Sequence, residues 1–123
     1  MSASLYGEVI ADHSRRPRNF GALEAPDASH EGLNPLCGDR VRIELRLASG
    51  RIAQAAFRGE ACMVAMASAS LLTEMVSGLS VQEAAELPRE KLLAALQAPL
   101  RPSRLGCATL PLEVLQEALR GRR

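Results

Sequence analysis

The chain has 123 residues, with 15 Lys and Arg against 14 Asp and Glu, and a net charge of +1. This balance argues against a nucleic acid as the main partner, because domains that bind nucleic acids usually carry a basic excess. No apolar run approaches the roughly 18 residues of a membrane span and no signal peptide is evident, so we expect a single cytoplasmic domain without membrane attachment.

The N-terminal quarter predicts one helix followed by irregular chain. Residues 4–14 have helical spacing, with Ser4 as a candidate N-cap and His13 on the buried face. Pro17 ends this helix, because proline disfavours helical backbone at the residue before it. Residues 22–36 are polar and contain two prolines, so they predict a loop with at most a short edge strand.

The middle of the chain predicts a β-hairpin. Residues 40–47 alternate strictly between charged and apolar side chains, which indicates a strand with one buried face in an antiparallel sheet. Residues 48–50 supply the turn, and residues 51–58 return as a second strand. The side chains expected on its buried face are Ala53, Ala55 and Phe57.

The second half predicts helices. Apolar spacing indicates a helix over residues 62–77, and residues 80–83 match a capping box that opens the next one. Proline as a first helical residue indicates another helix over 88–97. Residues 98–106 contain two prolines and predict a loop before a last amphipathic helix over 109–120.

The three cysteines are the most informative residues. An odd number of cysteines in a cytoplasmic chain argues against a disulfide framework. Cys37 is expected in the turn before the first strand, Cys62 at a strand–helix junction and Cys107 between a loop and the last helix. Two of them would therefore lie at helix N-termini, where the helix dipole favours the thiolate that binds metal or attacks sulfur.

Asp39 is a candidate fourth ligand. It follows Cys37 by two residues, so both side chains point the same way if Asp39 opens the strand. Together with Cys62 and Cys107 they would offer three soft donors and one hard donor, a set that suits tetrahedral zinc or part of an iron–sulfur cluster. Because there is no CxxC pair, spacing alone also allows inert buried thiols.

Two other functions are compatible with these residues. The first is an enzyme in which Cys37 is a nucleophile and His13 or His30 its base, although no oxyanion-hole motif is evident. The second is an interaction module held together by a purely structural zinc. His13 is expected to be a buried structural residue, and His30, in a polar segment, to be solvated.

Four blocks of the sequence, in order, resemble the IscU/SufU-type proteins of iron–sulfur cluster assembly, which are similar to the N-terminal part of NifU. The blocks are Asp12-His13 with Pro17-Arg18-Asn19-Phe20-Gly21, similar to DHxxxPRNxG; Asn34-Pro35-Leu36-Cys37-Gly38-Asp39, similar to NPxCGD; Gly59-Glu60-Ala61-Cys62 with the helix after it; and Cys107-Ala108-Thr109-Leu110-Pro111. Each block alone is a weak signal, whereas the ordered set is specific.

The resemblance implies a fold, a site and a role. The fold would be α+β, a single domain over residues 1–123 in which a small antiparallel sheet of about three strands packs against several helices. The chain would be a scaffold or sulfur carrier rather than an enzyme, with Cys37 accepting persulfide sulfur from a cysteine desulfurase. Zn²⁺ or a [2Fe–2S] cluster for downstream acceptor proteins would be held by Cys37, Asp39, Cys62 and Cys107.

The sequence combines features of the IscU branch and the SufU branch of the family. Gly106 stands where the IscU branch has a histidine, and the segment after it resembles the zinc-binding SufU branch, yet residues 81–106 are too few for the extra segment of that branch. Arg104 stands where SufU relatives have a basic residue, which makes it a candidate accessory group for a sulfur-bearing anion. The chaperone motif LPPVK of the IscU branch is only partly matched by residues 100–104, which leaves a chaperone partner open.

Overall fold

A computed structural model describes residues 7–120. The elements in chain order are α1 (Glu8–Arg15), β1 (Ala28–Asn34), β2 (Asp39–Ala48), β3 (Arg51–Glu60), α2 (Met63–Val76), α3 (Val81–Ala85), α4 (Arg89–Leu96) and α5 (Pro102–Ala118). None of the helices within these residues is long and apolar enough to cross a membrane. The arrangement confirms the predicted α+β class, with one small sheet and several helices.

The three strands form an antiparallel sheet in the order β1-β2-β3. The predicted hairpin is confirmed, and its turn places Ser49 and Gly50 at φ 52° and 74°, the conformation that matches the strand twist. Residues 22–36 predict a loop with at most a short edge strand; β1 is that edge strand, and it is longer than expected, since it pairs with β2 over seven residues. This strand lacks a clean alternation of apolar residues, so the pairing with β2 determines its conformation.

The buried face of β3 differs from the prediction at Ala53. The pairing changes register between Arg46 and Leu47, because Arg46 lies opposite Gln54 and Leu47 opposite Ile52. Ala53 is the extra residue of this β-bulge and is exposed, and Ile52 is buried in its place. A bulge shifts the alternation by one residue, which a regular pattern of two cannot reveal.

The main core lies between the inner face of the sheet and helices α2 and α5. Each fully buried side chain there, such as Phe57 or Leu72, contributes about 1.5–3 kcal/mol through removal from water. A second, smaller apolar cluster joins α1, α2, α4 and α5, and Cys107 belongs to it. The residues that form this second cluster are Ile10, Val64, Ala65, Ala67, Leu96, Cys107 and Ala108.

The segment between α1 and β1 closes one edge of the sheet and crosses its outer face. The backbone N–H of Phe57 donates to the carbonyl of Asn19 at 3.0 Å, and the N–H of Gly21 donates to the carbonyl of Phe57 at 2.8 Å. The N–H of Leu23 then donates to the carboxylate of Glu44 at 2.8 Å. Glu44 is consequently buried, although it lies on the charged face of β2.

Helix α1 is joined to α2 by a buried histidine. Within the described residues the helix begins at Glu8 after Gly7; Ser4, the expected N-cap, lies outside them. His13 is buried, as predicted, with its Nδ1 atom 2.8 Å from the Ser70 hydroxyl. Its pKa is lowered by burial and by the charge of Arg18, so the ring is a neutral hydrogen-bonding group.

The helices after α2 confirm one prediction and correct another. Ser80 and Glu83 form the predicted capping box at α3, and α4 follows Pro88. The expected loop over residues 98–106 is wrong for its end, because α5 begins at Pro102. Proline is well suited to the first position of a helix, where its missing N–H has no intrahelical partner.

Candidate metal centre

Cys37 lies in a short turn that connects β1 to β2 at one tip of the sheet. The side-chain oxygen of Asn34 accepts from the N–H of Leu36 at 3.1 Å, and its carbonyl accepts from the N–H of Gly38 at 2.8 Å. Gly38 has a φ of 74°, which favours glycine. This turn holds Cys37 exposed at the tip.

Asp39 is the first residue of β2 and lies beneath Cys37. The Cys37 thiol donates to Asp39 Oδ2 at 3.0 Å, so the two side chains point the same way, as alternation predicts. Although Asp39 is the first residue of the strand, it is buried, since only 3% of the residue is accessible. Its Oδ1 atom accepts the backbone N–H of Cys62 at 2.8 Å.

The thiol of Cys62 approaches Asp39 from the start of α2. Cys62 is the N-cap of that helix and is half-buried, so its predicted place at a helix N-terminus is confirmed. Its Sγ atom lies 3.5 Å from Asp39 Oδ2. Asp39 is therefore bonded to Cys62 through both the backbone N–H and the side chain.

Cys107 completes the group from the opposite side. Its Sγ atom lies 3.4 Å from Sγ of Cys37. The prediction that Cys107 sits at a helix N-terminus is wrong, because α5 starts five residues earlier, at Pro102, and Cys107 is buried in its second turn. Burial raises the pKa of Cys107, and its contacts with Cys37, Asp39 and Cys62 raise it further, so the free protein carries a neutral thiol here.

Two residues, one on α2 and one on α5, affect the backbone around Cys107. The Ser68 hydroxyl of α2 donates to the carbonyl of Ala108 at 2.5 Å, which ties α5 to α2. Pro111 lies inside α5 and has no N–H to offer the carbonyl of Cys107, four residues earlier. Two features of the sequence could have indicated this arrangement: Ser68 lies within an apolar stripe, and Pro111 lies within a helical pattern.

The donor set fits a soft divalent metal. One ligand atom from each of Cys37, Asp39 and Cys107 lies within 4.8 Å of the other two, and Cys62 adjoins the same carboxylate. Burial raises the pKa of Asp39, but hydrogen bonds from Cys37, from the backbone of Cys62 and from the other two thiols bring it below its ordinary value. A carboxylate that stays ionised beside three thiols is a ligand set of the kind used for zinc and iron.

The other candidate residues lie elsewhere or at the border of the site. In the part of the chain that the structure describes, neither histidine is brought to Cys37: His13 bonds to Ser70, and His30 lies opposite Ile43 on β1. Arg104 lies in the first turn of α5, one helical turn before Cys107.

An apolar rim surrounds the cysteines, and it also escaped the sequence analysis. Five large apolar side chains are exposed among the described residues, and four of them adjoin a cysteine segment. Leu36, next to Cys37, is 96% exposed. The apolar rim consists of Leu33, Leu36, Met63 and Leu105. Exposed apolar side chains gathered around one site are typical of surfaces that contact another protein.

Sequence comparison finds relatives over most of the chain. The iron–sulfur cluster assembly scaffold protein IscU 1 of Archaeoglobus fulgidus is 31% identical over 115 residues, covering 94% of this chain and 74% of the relative. The zinc-dependent sulfurtransferase SufU of Bacillus subtilis is 33% identical over 135 aligned positions, covering 94% and 90%.

A solved structure shows the same fold. The SUF-system iron–sulfur cluster assembly scaffold protein of Fervidobacterium islandicum superposes with a TM-score of 0.80 at 26% identity, covering 94% of this chain and 96% of that one. The profile of the family described as NifU-like N terminal domain matches residues 5–121. With this match and relatives above 30% identity, the chain belongs to the NifU-like N-terminal domain family, which includes the IscU and SufU proteins.

Proposed function

We propose that this protein is a cytoplasmic scaffold and sulfur carrier of iron–sulfur cluster assembly, which acts together with a cysteine desulfurase and is not an enzyme by itself. The observation that carries the proposal is the convergence of Cys37, Asp39 and Cys107, with Cys62 beside them, at one tip of the sheet. The names of the IscU and SufU relatives agree with both halves of this role.

The thiols differ in exposure, and we assign them different roles. Cys37 is exposed, whereas Cys107 is buried and is held as a neutral thiol by its high pKa. In the transfer step the Cys37 thiolate attacks the terminal sulfur of the donor persulfide. The donor S–S bond breaks, a new S–S bond forms on Cys37, and the donor cysteine leaves as a thiolate, so the step needs no external oxidant or reductant.

The ligand set suits a cargo that must be released. A carboxylate is a poorer match than a thiolate for zinc or iron, so Asp39 is the ligand that another donor displaces most easily. Zn²⁺, when bound, would be held by Cys37, Asp39, Cys62 and Cys107 and would favour their deprotonated forms. A [2Fe–2S] cluster would be cargo at the same residues, for transfer to acceptor proteins.

The apolar rim gives the partner a place to dock over the cysteines. Leu36 and Met63 are each adjacent to a cysteine in the chain, so a surface that covers them also shields the sulfur from water. Arg104, one turn before Cys107, is proposed as an accessory group toward the anionic sulfur. The partial match of residues 100–104 to the chaperone motif leaves a chaperone partner open.

Transfer of labelled sulfur tests the proposal. A cysteine desulfurase is incubated with labelled cysteine and with this protein, and the label is located by mass spectrometry of peptides. We expect one added sulfur on Cys37 and none in Cys37→Ser, with Ser103→Ala as an exposed control that transfers normally. Absence of label from all three thiols would exclude the sulfur-carrier role.

Chelation distinguishes cargo from a structural zinc. A structural zinc contributes directly to folding, so its removal should unfold the domain. Two apolar clusters form the core without metal ligands other than Cys107, so we expect circular dichroism to remain native after treatment with a chelator. Loss of the helical signal would support the structural-zinc module instead.

The release rate tests the role assigned to Asp39. Asp39→Cys replaces the weak ligand with a fourth thiolate, so metal loss to a chelator should become slower than in the wild type. Asp39→Ala should lose metal faster. Equal rates in all three proteins would show that Asp39 is not a ligand.

A further inference from the structure

The two edges of the sheet are treated differently. The outer edge of β3 is covered by this chain at two places: Asn19 and Gly21 bond to Phe57, and Gly78 and Leu79 bond to Ile52. The outer edge of β1 has no such cover, because β1 is the last strand of the sheet and no segment within residues 7–120 pairs with its free side. One edge of the sheet is closed and the other is open.

The open edge has few of the features that protect exposed strands, and Glu31 is the one acidic side chain within residues 28–34. Proteins usually guard an edge with lysine, proline or a bulge. Residues 28–34 contain neither lysine, arginine nor proline, and they pair with β2 in unbroken register. A strand of seven residues in this state offers an unguarded row of backbone donors and acceptors.

A groove runs beside this edge, between β1 and helix α5, and encloses about 490 Å³. It is lined by His30, Gly32, Leu33, Leu110, Glu113 and Val114. Gly32 permits the close approach, because a Cβ atom there would lie 2.5 Å from Cγ2 of Val114. The groove thus places a strand edge beside helix α5, whose Leu110 and Val114 side chains are themselves buried against the sheet.

Carboxylates line the far wall of the groove. Glu113 and Glu117 are exposed on α5 and line the groove. Arg120, at the end of the groove, pairs with Glu117 at 3.4 Å. Among the described residues Glu113 forms no ion pair; it accepts only a long hydrogen bond, 3.4 Å, from Thr109 of the same helix.

We propose that the open edge of β1 binds an extended basic segment of a partner protein by strand addition. Main-chain hydrogen bonds to β1 supply affinity, and alternate side chains supply specificity. On the side that faces α5, lysine or arginine of the added segment would bring its charge to Glu113.

The open edge of β1 lies next to the metal centre in the chain, although strand addition does not require metal or sulfur to be bound there. β1 ends at Asn34, and Cys37 follows within the next turn. A segment added along β1 therefore places its neighbouring residues beside the exposed thiol. Leu33 belongs both to the apolar rim and to the lining of the groove, so the proposed surface adjoins the rim.

Binding of short peptides to the full chain tests the proposal. The probe is a fluorescent eight-residue peptide in which lysine alternates with valine, and the matched peptide has glutamate in place of lysine. We expect the lysine peptide to bind and to protect amides of residues 28–34 from hydrogen exchange. Glu113→Lys should weaken binding about three- to tenfold, whereas Glu90→Lys, an exposed reversal on α4, should not.

Methylated peptides separate strand addition from simple charge attraction. One lysine peptide carries N-methyl groups at its odd-numbered amides and another at its even-numbered amides. In a strand only one of these sets faces β1, so one peptide should lose binding and the other should keep it. Equal binding by both peptides, absence of binding by the lysine peptide, or protection outside residues 28–34 would overturn the proposal.

Discussion

Two buried carboxylates on the same strand have opposite surroundings. Glu44 lies in the middle of β2 and is 4% exposed; Asp39 lies at its start and is 3% exposed. Glu44 accepts from Arg42 Nε at 2.8 Å and lies 3.4 Å from the guanidinium of Arg58. The hydrogen bonds to Asp39 come from thiols and from the N–H of Cys62.

The comparison distinguishes a buried carboxylate that has a structural role from one that has a role in binding. For both acids burial raises the pKa and hydrogen bonding outweighs it, so each pKa ends below its ordinary value. The charge of Glu44 is balanced by two arginines of the protein itself. Asp39 is stabilised by dipoles and thiols, which leaves its charge to be balanced by a cation from outside.

The largest effect is expected from removal of the balanced acid. Glu44→Ala should lower the free energy of unfolding by about 2–3 kcal/mol, because two guanidiniums and the N–H of Leu23 lose their common acceptor. Chemical denaturation measures this loss. The matched control is Glu60→Ala, whose side chain is 84% exposed and pairs with Arg40, and it should change stability by less than about 0.5 kcal/mol.

A smaller loss of stability is expected at the unbalanced acid. In metal-free protein Asp39→Ala should cost about 1–2 kcal/mol, because the N–H of Cys62 loses its acceptor. Asp39→Asn keeps an oxygen at that place and should recover most of the loss, yet it should bind zinc more weakly than the wild type. If Asn restores both stability and zinc affinity, the charge of Asp39 has no role.

Comparison of the wild type with Glu44→Gln isolates the contribution of Glu44 to the pH dependence of stability. The folded pKa of Glu44 is below its ordinary value of 4.5, so its contribution is complete above pH 4.5 and is lost as the pH falls through the folded value. The stability difference between the wild type and Glu44→Gln should therefore be constant above pH 4.5 and shrink below it. Denaturation curves at several pH values measure this difference, and a gap that widens on acidification would contradict the assignment.

The smallest effect is expected at an exposed acid. Glu83 accepts the backbone N–H of Ser80 at 2.9 Å in the capping box of α3, and that bond lowers its pKa. Glu83→Ala should reduce the thermal midpoint less than either buried substitution, because water can replace the lost acceptor. A Tm shift as large as that of Glu44→Ala would show that burial does not determine the ranking of these stability losses.

Sequence reasoning was accurate where one local pattern determined the structure. Strict alternation fixed β2, and the capping residues fixed α3. The ordered motifs indicated Cys37, Asp39 and Cys107, which the fold brings together, and Cys62, which adjoins Asp39, because such motifs carry information about long-range contacts that periodicity lacks. Cys37 and Asp39 are the clearest case, since alternation also predicted their common direction.

The failures occurred where tertiary contacts decide local structure. β1 has no strong strand pattern and is determined by pairing with β2. Ala53 is exposed because a bulge, invisible in the pattern, shifts the register. The start of α5 was hidden by Pro99 and Pro102, of which Pro99 precedes the helix and Pro102 is its first residue. Because of that error Cys107 was predicted at a helix terminus, whereas it is buried in the second turn.

A sheet with one covered edge and one open edge can gain strands on one side only. Each molecule can add a single strand on the β1 side, and the β3 side accepts none while Asn19 and Leu79 occupy it. Two molecules that paired through β1 would form a six-stranded sheet whose two ends are both closed. Association of two copies through this edge therefore uses both open edges and stops at a symmetric dimer.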